Sequence, residues 1–205
     1  MNIRITNDSV EIDGYVNAVE RLSKPLKDRL GSFVERVKVG AFKRALERAD
    51  DVRILLNHEW NRDLGGIKDG NLELYEDAIG LHARATITDK EVVEQAKRGD
   101  LVGWSFGFTD RDVETGEENG LTVRNVKDLD LYEVSLINRS RVPAYDGTLV
   151  AVRTADKTIN VADLTECDIK VRDESEEVKD NEPADDHGAV DYSKYHEIIK
   201  EMKGE

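Results

Sequence analysis

Along the first 153 residues, runs in which apolar and polar positions alternate with period two are interrupted by turns and a few helical segments. Ile3 and Ile5 open a short run, and Ile12 to Val19 (IDGYVNAV) continues the pattern, with Gly14 marking a bulge or a close approach. Residues 23–33 (SKPLKDRLGSF) contain Pro25 and Gly31 and read as a loop, after which Val34 to Val39 alternates again. In Ala41 to Ala49, Phe42, Ala45, Leu46 and Ala49 recur at three- and four-residue steps, which predicts a short amphipathic helix. Val52 to Leu56 (VRILL) reads as a buried strand, and Leu72 to Leu74 and Gly80 to Ile87 as two more. Thr88 with Glu91 three residues on forms a capping box for a helix over roughly 89–98, stopped by Gly99. Leu101 to Thr109, Leu121 to Val126, Leu131 to Ile137 and Leu149 to Val152 complete the strands.

Eight or nine strands with only two or three helices predict a mainly β protein with peripheral helices, of α+β type. A doubly wound sheet would need a helix between every pair of strands, so a barrel or sandwich fits better.

After Arg153 the pattern decays. Residues 154–205 hold sixteen acids and seven bases, against twenty-eight and twenty-three in residues 1–153. The stretch 173–186 (DESEEVKDNEPADD) has eight acids, one lysine and no aromatic residue, and cannot offset its ordering entropy by burial. Two domains are therefore expected: a folded one over 1–153 and an acidic, largely disordered tail over 154–205. Within the tail, 191–203 (DYSKYHEIIKEMK) places Tyr192, Tyr195, Ile198, Ile199 and Met202 on one helical stripe.

The net charge of −14 argues against general nucleic-acid binding, which needs a basic footprint. No apolar run approaches the roughly 18 residues of a membrane span, and MNIRITNDSV lacks the features of a secretory signal. The lone cysteine, Cys167, allows neither an intramolecular disulfide nor a cysteine-rich zinc site, and the core histidines have no neighbours at ligand spacing. No metal and no cofactor are expected.

Chemistry concentrates in few places. Of the four histidines, His187 and His196 lie in the tail. His82 lies between Leu81 and Ala83 and reads as a solvated strand residue. His58 ends the aliphatic run VRILL, and a rigid strand end suits a general base. In Gly103-Trp104-Ser105-Phe106-Gly107-Phe108, alternation puts Val102, Trp104, Phe106 and Phe108 on one face. The other face carries the Ser105 hydroxyl between two glycines, either for a substrate's approach or because something packs closely there. The G-x-S-x-G match to a nucleophile elbow is accidental, since no turn and helix follow and the only downstream histidines lie in the tail. Triad chemistry fixes geometry rather than chain order. Ser105 needs a base, and the base needs an orienting acceptor. Glu133, a carboxylate inside the apolar run LYEVSLI, suits that place, or else pairs with an arginine. Asp128 and Asp130 are nearby alternatives.

Five segments taken in order resemble one known family. They are GYVNAVE, FVERVKVGAFKRAL, VRILLNHEWNRDLGGI, RGDLVGWSFGF and LYEVSLINRSRVPAY, covering about residues 10–152. Together they resemble the prohead (capsid maturation) serine proteases of tailed bacteriophages, a group related to the assemblin proteases of herpesviruses. The resemblance implies a small, partly closed β-barrel with helices around it. It puts the catalytic histidine on His58, the nucleophile on Ser105 and the third member on Glu133. The herpesvirus relatives use a second histidine there; this chain has none between Ser105 and the tail, so a carboxylate serves or the site is a dyad. Arg139 and Arg141 fall where those relatives use backbone beside an arginine pair to stabilise the oxyanion.

The implied activity is that of a serine endopeptidase acting through an acyl-enzyme. Its substrates would be the major capsid protein or a scaffolding protein, and itself, inside the assembling procapsid in the cytoplasm of the infected bacterium. Relatives often gain activity on association, which implies a homodimer or capsid-dependent activation. The alternatives are a catalytically inactive assembly or scaffolding factor, and a serine hydrolase such as an esterase. Cleavage preference would be set by the loops 59–71 and 110–120.

Overall fold

A computed structural model describes residues 1–27, 31–141, 152–154, 157–161 and 169–174. In chain order its elements are β1 (Asn2–Ile5), β2 (Val10–Ala18), β3 (Leu26–Lys27), β4 (Ser32–Val37), α1 (Ala41–Arg48), β5 (Arg53–Leu56), β6 (Glu59–Gly66), β7 (Leu72–Glu76) and β8 (Gly80–Ile87). Then come α2 (Lys90–Lys97), β9 (Leu101–Glu118), β10 (Leu121–Asn138), a 3₁₀ turn at Arg139–Arg141, β11 (Val152–Thr154), β12 (Lys157–Val161) and β13 (Lys170–Asp173). All described residues fall within the unit Met1–Ser175. The expected helix over 191–203 lies outside the described residues, as does the acidic stretch 173–186 apart from Asp173 and Glu174.

The strands form two sheets. One runs β13-β1-β2-β8-β7, and the other β11-β12-β9-β10-β4-β3, with β5 added on β10 and β6 on β5. β9 and β10 make one long antiparallel hairpin, paired from Glu118↔Leu121 to Leu101↔Asn138 with four register shifts along its length. Its turn is Asn119-Gly120, both at positive φ (54° and 75°), the conformation a tight hairpin turn requires and that Asn-Gly supplies at least cost. Because β10 is 18 residues long, its far edge serves two partners in series. β4 pairs parallel with Thr122–Val126 and β5 parallel with Glu133–Leu136, and α1 fills the crossover between them.

The inward faces make one core. Ile5, Val10, Ile12 and Val16 come from the first sheet, Trp104, Phe106, Val134 and Leu136 from the second, with Phe42 of α1 and Val92 of α2. Phe42 meets Phe106 edge-on at 5.2 Å, and Phe106 stacks on Phe108 at the same separation. Each fully buried side chain of this kind contributes about 1.5–3 kcal/mol, which the exposed tip of the β9–β10 hairpin does not gain.

The mainly β architecture with two peripheral helices is as expected, but the partly closed barrel is not found: neither sheet closes. Closure needs an edge-to-edge ladder, and at one seam a helix takes its place. α1 packs against both β7, an edge strand of the first sheet, and β10 of the second. The junction is fixed by Glu76 at the end of β7. Its carboxylate accepts from the Gly40 N–H (2.5 Å) and the Lys43 N–H (2.7 Å), two free donors at the start of α1, whose own N-cap Gly40 has no side chain.

Three local details also differ from the sequence reading. Asp89, not Thr88, caps α2, accepting from the Val92 N–H, and Glu91 bonds Gln95 and Arg62 instead. Residues 59–66, expected as part of a loop, form β6, and the stretch 110–120 continues the hairpin. Among the described residues two strands lie beyond Arg153, with β12 pairing β9 at Phe108 and Gly107 and β13 pairing parallel with β1.

Candidate active site

The β5–β6 connection is two residues long, Asn57-His58, with Leu56 paired to Glu59 across it. Both residues sit at positive φ, 56° and 60°. Asn tolerates this region; a histidine there costs about 1 kcal/mol or more and persists only when its surroundings hold it. The surroundings are on β10. Asn57 donates its N–H to the Leu136 carbonyl (2.8 Å), and His58 donates its own to Ser135 Oγ (3.1 Å).

The turn folds the imidazole back along β10, so that His58 Nδ1 lies 2.8 Å from Glu133 Oε1. Glu133 is 2% exposed, and its other oxygen accepts from the Ser135 hydroxyl at 2.5 Å. An acceptor-only carboxylate at Nδ1 selects the tautomer that carries its proton on Nδ1, leaving Nε2 with a lone pair. The arginine partner weighed for Glu133 is not what it meets. Asp128 and Asp130, the alternative carboxylates, belong to a surface network, Asp128 with Arg48 (2.8 Å) and Asp130 with Arg111 (3.1 Å).

Ser105 enters through register. It is paired with Ser135 across the hairpin, and Gly107 is paired with Glu133 and Gly103 with Ile137. Residues directly opposite in an antiparallel pair point to the same face, with Cβ atoms about 4.5–5.5 Å apart. Ser105, Ser135 and Glu133 therefore share one face of the sheet, where the two glycines add no side chains. Trp104, Phe106 and Phe108 point into the core, as the alternation predicts, but Val102, expected on the same face, is only half-buried beside a register shift, and Leu101 joins the core instead. Ser105 is itself buried at 2% exposure.

Arg139 and Arg141 lie in the 3₁₀ turn that follows β10. Arg139 is exposed in the 3₁₀ turn beyond β10 and gives its backbone N–H to the Asp100 carbonyl (2.9 Å). The next N–H, of Ser140, is taken by Asn138 Oδ1 (3.1 Å). Arg141 closes the turn.

Four polar residues that the sequence reading did not single out frame the site. One is Ser135. The others form a buried amide chain: Asn57 and Asn138 bond reciprocally at 3.1 Å, and Asn138 Nδ2 donates to Gln95 Oε1 at 3.0 Å. The chain ties the turn to the end of β10 and to α2. Its signal was the kind that pointed to Glu133, a polar residue where an apolar one belongs: Gln95 in VVEQA and Asn138 closing LYEVSLIN.

His82, expected to be solvated, is 7% exposed. Its ring stacks on Tyr75 (4.9 Å) and meets Tyr15 edge-on (4.8 Å), with Nε2 3.6 Å from Asp13. It lies on the other sheet and takes no part in the His58 cluster. Among the described residues, no group of three His, Cys, Asp or Glu could hold a metal ion, and no helix is long and apolar enough to cross a membrane.

A comparison with families of known proteins matches residues 1–162 to the family described as caudovirus prohead serine protease. Comparison with curated proteins and with solved structures finds no match.

Proposed function

We propose, since the chain belongs to the caudovirus prohead serine protease family, that its catalytic group is Ser105, His58 and Glu133. The family gives the activity: the chain is a serine protease that acts on capsid or scaffolding proteins during phage assembly. The residue roles are our reading. It rests on one observation above all, the buried Glu133 carboxylate 2.8 Å from Nδ1 of a histidine held in a strained turn.

In this reading His58 Nε2 takes the proton from Ser105 Oγ as the oxygen attacks the scissile carbonyl carbon. The tetrahedral intermediate collapses to an acyl-enzyme, the C–N bond breaks, and His58 returns the proton to the departing amine. Water, deprotonated by the same nitrogen, then releases the acid and restores Ser105. Glu133 accepts from Nδ1 and stabilises the imidazolium formed at each transfer. The Arg139 and Ser140 N–H groups are already bonded within the fold, so an oxyanion donor is better sought elsewhere.

The finer assignments follow the family. The substrate is the major capsid protein or a separate scaffolding protein, met inside the assembling procapsid, and the chain itself is a further target. Wild type and Ser105→Ala, each co-expressed with the cognate capsid and scaffolding proteins, would be compared by intact mass spectrometry. Fragments formed with wild type and absent with Ser105→Ala are expected. Identical uncleaved masses in assembled particles would overturn the assignment.

A further inference from the structure

We propose that Ser135 is a positioning residue for His58, a role that rests on reading His58 as the base. The hydroxyl has one proton to give, and both its partners fix the direction of their bonds. The His58 backbone N–H can only donate, and the Glu133 carboxylate oxygen accepts. Ser135 Oγ therefore accepts from His58 at 3.1 Å and donates to Glu133 at 2.5 Å. Glu133 in turn meets the ring of the same histidine at 2.8 Å. The three residues close a loop in which His58 is gripped twice, at its backbone by Ser135 and at its imidazole by Glu133, and the two grips are bonded to each other.

The backbone grip is needed because His58 sits at φ 60° after an Asn57 at 56°. A turn freed from it would relax, and the imidazole would move with the turn. Ser135 is fully buried, so water is poorly placed to replace its hydroxyl. Its position directly opposite Ser105 makes it look like a second nucleophile. The bonding argues otherwise: its proton points to Glu133, and the bond it accepts comes from the backbone of His58, not the ring. Ser105 reads the tautomer that Ser135 helps to set.

The test uses the full chain as wild type, Ser135→Ala, Ser135→Thr and Ser105→Ala. Selective ¹⁵N-histidine NMR reports whether the His58 proton sits on Nδ1. Reaction with a fluorophosphonate, followed by intact mass across a pH series, reports the nucleophile. Ser135→Ala is expected to lose the Nδ1-bonded proton signal, to slow labelling on the order of 10- to 100-fold and to shift the pH midpoint. Ser135→Thr, which keeps a hydroxyl, returns both readouts towards wild type. An alanine variant with the wild-type tautomer and pH midpoint would overturn the proposal, whatever its rate. If wild type and Ser105→Ala label alike, the nucleophile assignment falls instead, and the tautomer comparison still decides the role of Ser135.

Discussion

Glu35 is a buried carboxylate whose partner is an arginine. It lies on β4 at 6% exposure, 2.5 Å from Arg124 on β10, and Arg124 also pairs with Asp110 and lies 5.5 Å from the Phe33 ring centre. Burial pushes the Glu35 carboxyl up to about 7, against the pull of Arg124 and with a smaller push from Asp110. The folded chain thus holds a proton there that the unfolded chain releases near pH 4.5, the ordinary value. Between those two values the folded state binds more protons, so stability falls as pH rises through the window, by up to about 3 kcal/mol in all. Glu35→Gln removes the titrating group. Urea unfolding at pH 5 and pH 8 should show the loss between the two shrinking in the variant relative to wild type. An equal loss in both would mean that Glu35 is ionised in the fold throughout.

Between elements, the clearest case is the seam where a helix replaces a strand ladder. The α1 N-terminus has no side-chain cap of its own, and Glu76 reaches over from β7 to supply one. Glu76→Ala is expected to destabilise by about 1 kcal/mol, within the range for lost caps, while Glu76→Gln retains one acceptor and costs less. Chemical denaturation of both variants checks this, and equal effects would show that the charge, not the cap, matters. Elements with local signals were legible before the structure: α1 from its periodicity, α2 from the polar residues before it and Gly99 after it, β2 from its alternation and β5 from its aliphatic content. β6 was not, because EWNRDLGG has neither alternation nor aliphatic content. Its pairing is held by Arg53 of β5, which takes Asp63 of β6 in a two-pronged bond (2.9 Å each) and also meets Asp51 and Asp69. The open sheets were illegible for a related reason: β10 serves two partners at distant points in the chain, which no local pattern encodes. His58, Ser105 and Glu133 stood out as functional residue types in unusual company. Ser135 did not, because a serine in a strand is ordinary until its hydrogen bonds are known.

At the scale of the molecule, charge and strand pairing make opposite demands on the region after Arg153. The chain carries a net −14, and self-repulsion of that kind weakens a compact state, so on charge alone trimming the acidic end should help. Residues 176–205 hold ten acids and four bases, and their removal leaves a net −8. Removal of 154–205 leaves −5 but also deletes β12 and β13. β13 covers the edge of β1 in register from Asn2↔Lys170 to Ile5↔Asp173, and is clamped by Lys170 N to Met1 O (3.0 Å), Glu174 N to Ile5 O (2.9 Å) and the Arg4–Glu174 pair (2.8 Å). Ile169 packs on the core beside it. Four or so ladder bonds at about 0.5–1.5 kcal/mol each give roughly 2–6 kcal/mol. At about 2–4 °C per kcal/mol for a chain of this size, that is roughly 4–24 °C in Tm, more than a surface-charge change usually returns. A chain ending at Ser175 should therefore melt at or above the full-length protein, and one ending at Arg153 clearly below it. The same pair of truncations bears on the site, because β12 pairs with β9 at Gly107 and Phe108, two and three residues from Ser105. If the strands beyond Arg153 support that segment, fluorophosphonate labelling of Ser105 should persist in the chain ending at 175 and fall in the chain ending at 153. Equal melting and equal labelling in both would show that the protease needs nothing after Arg153.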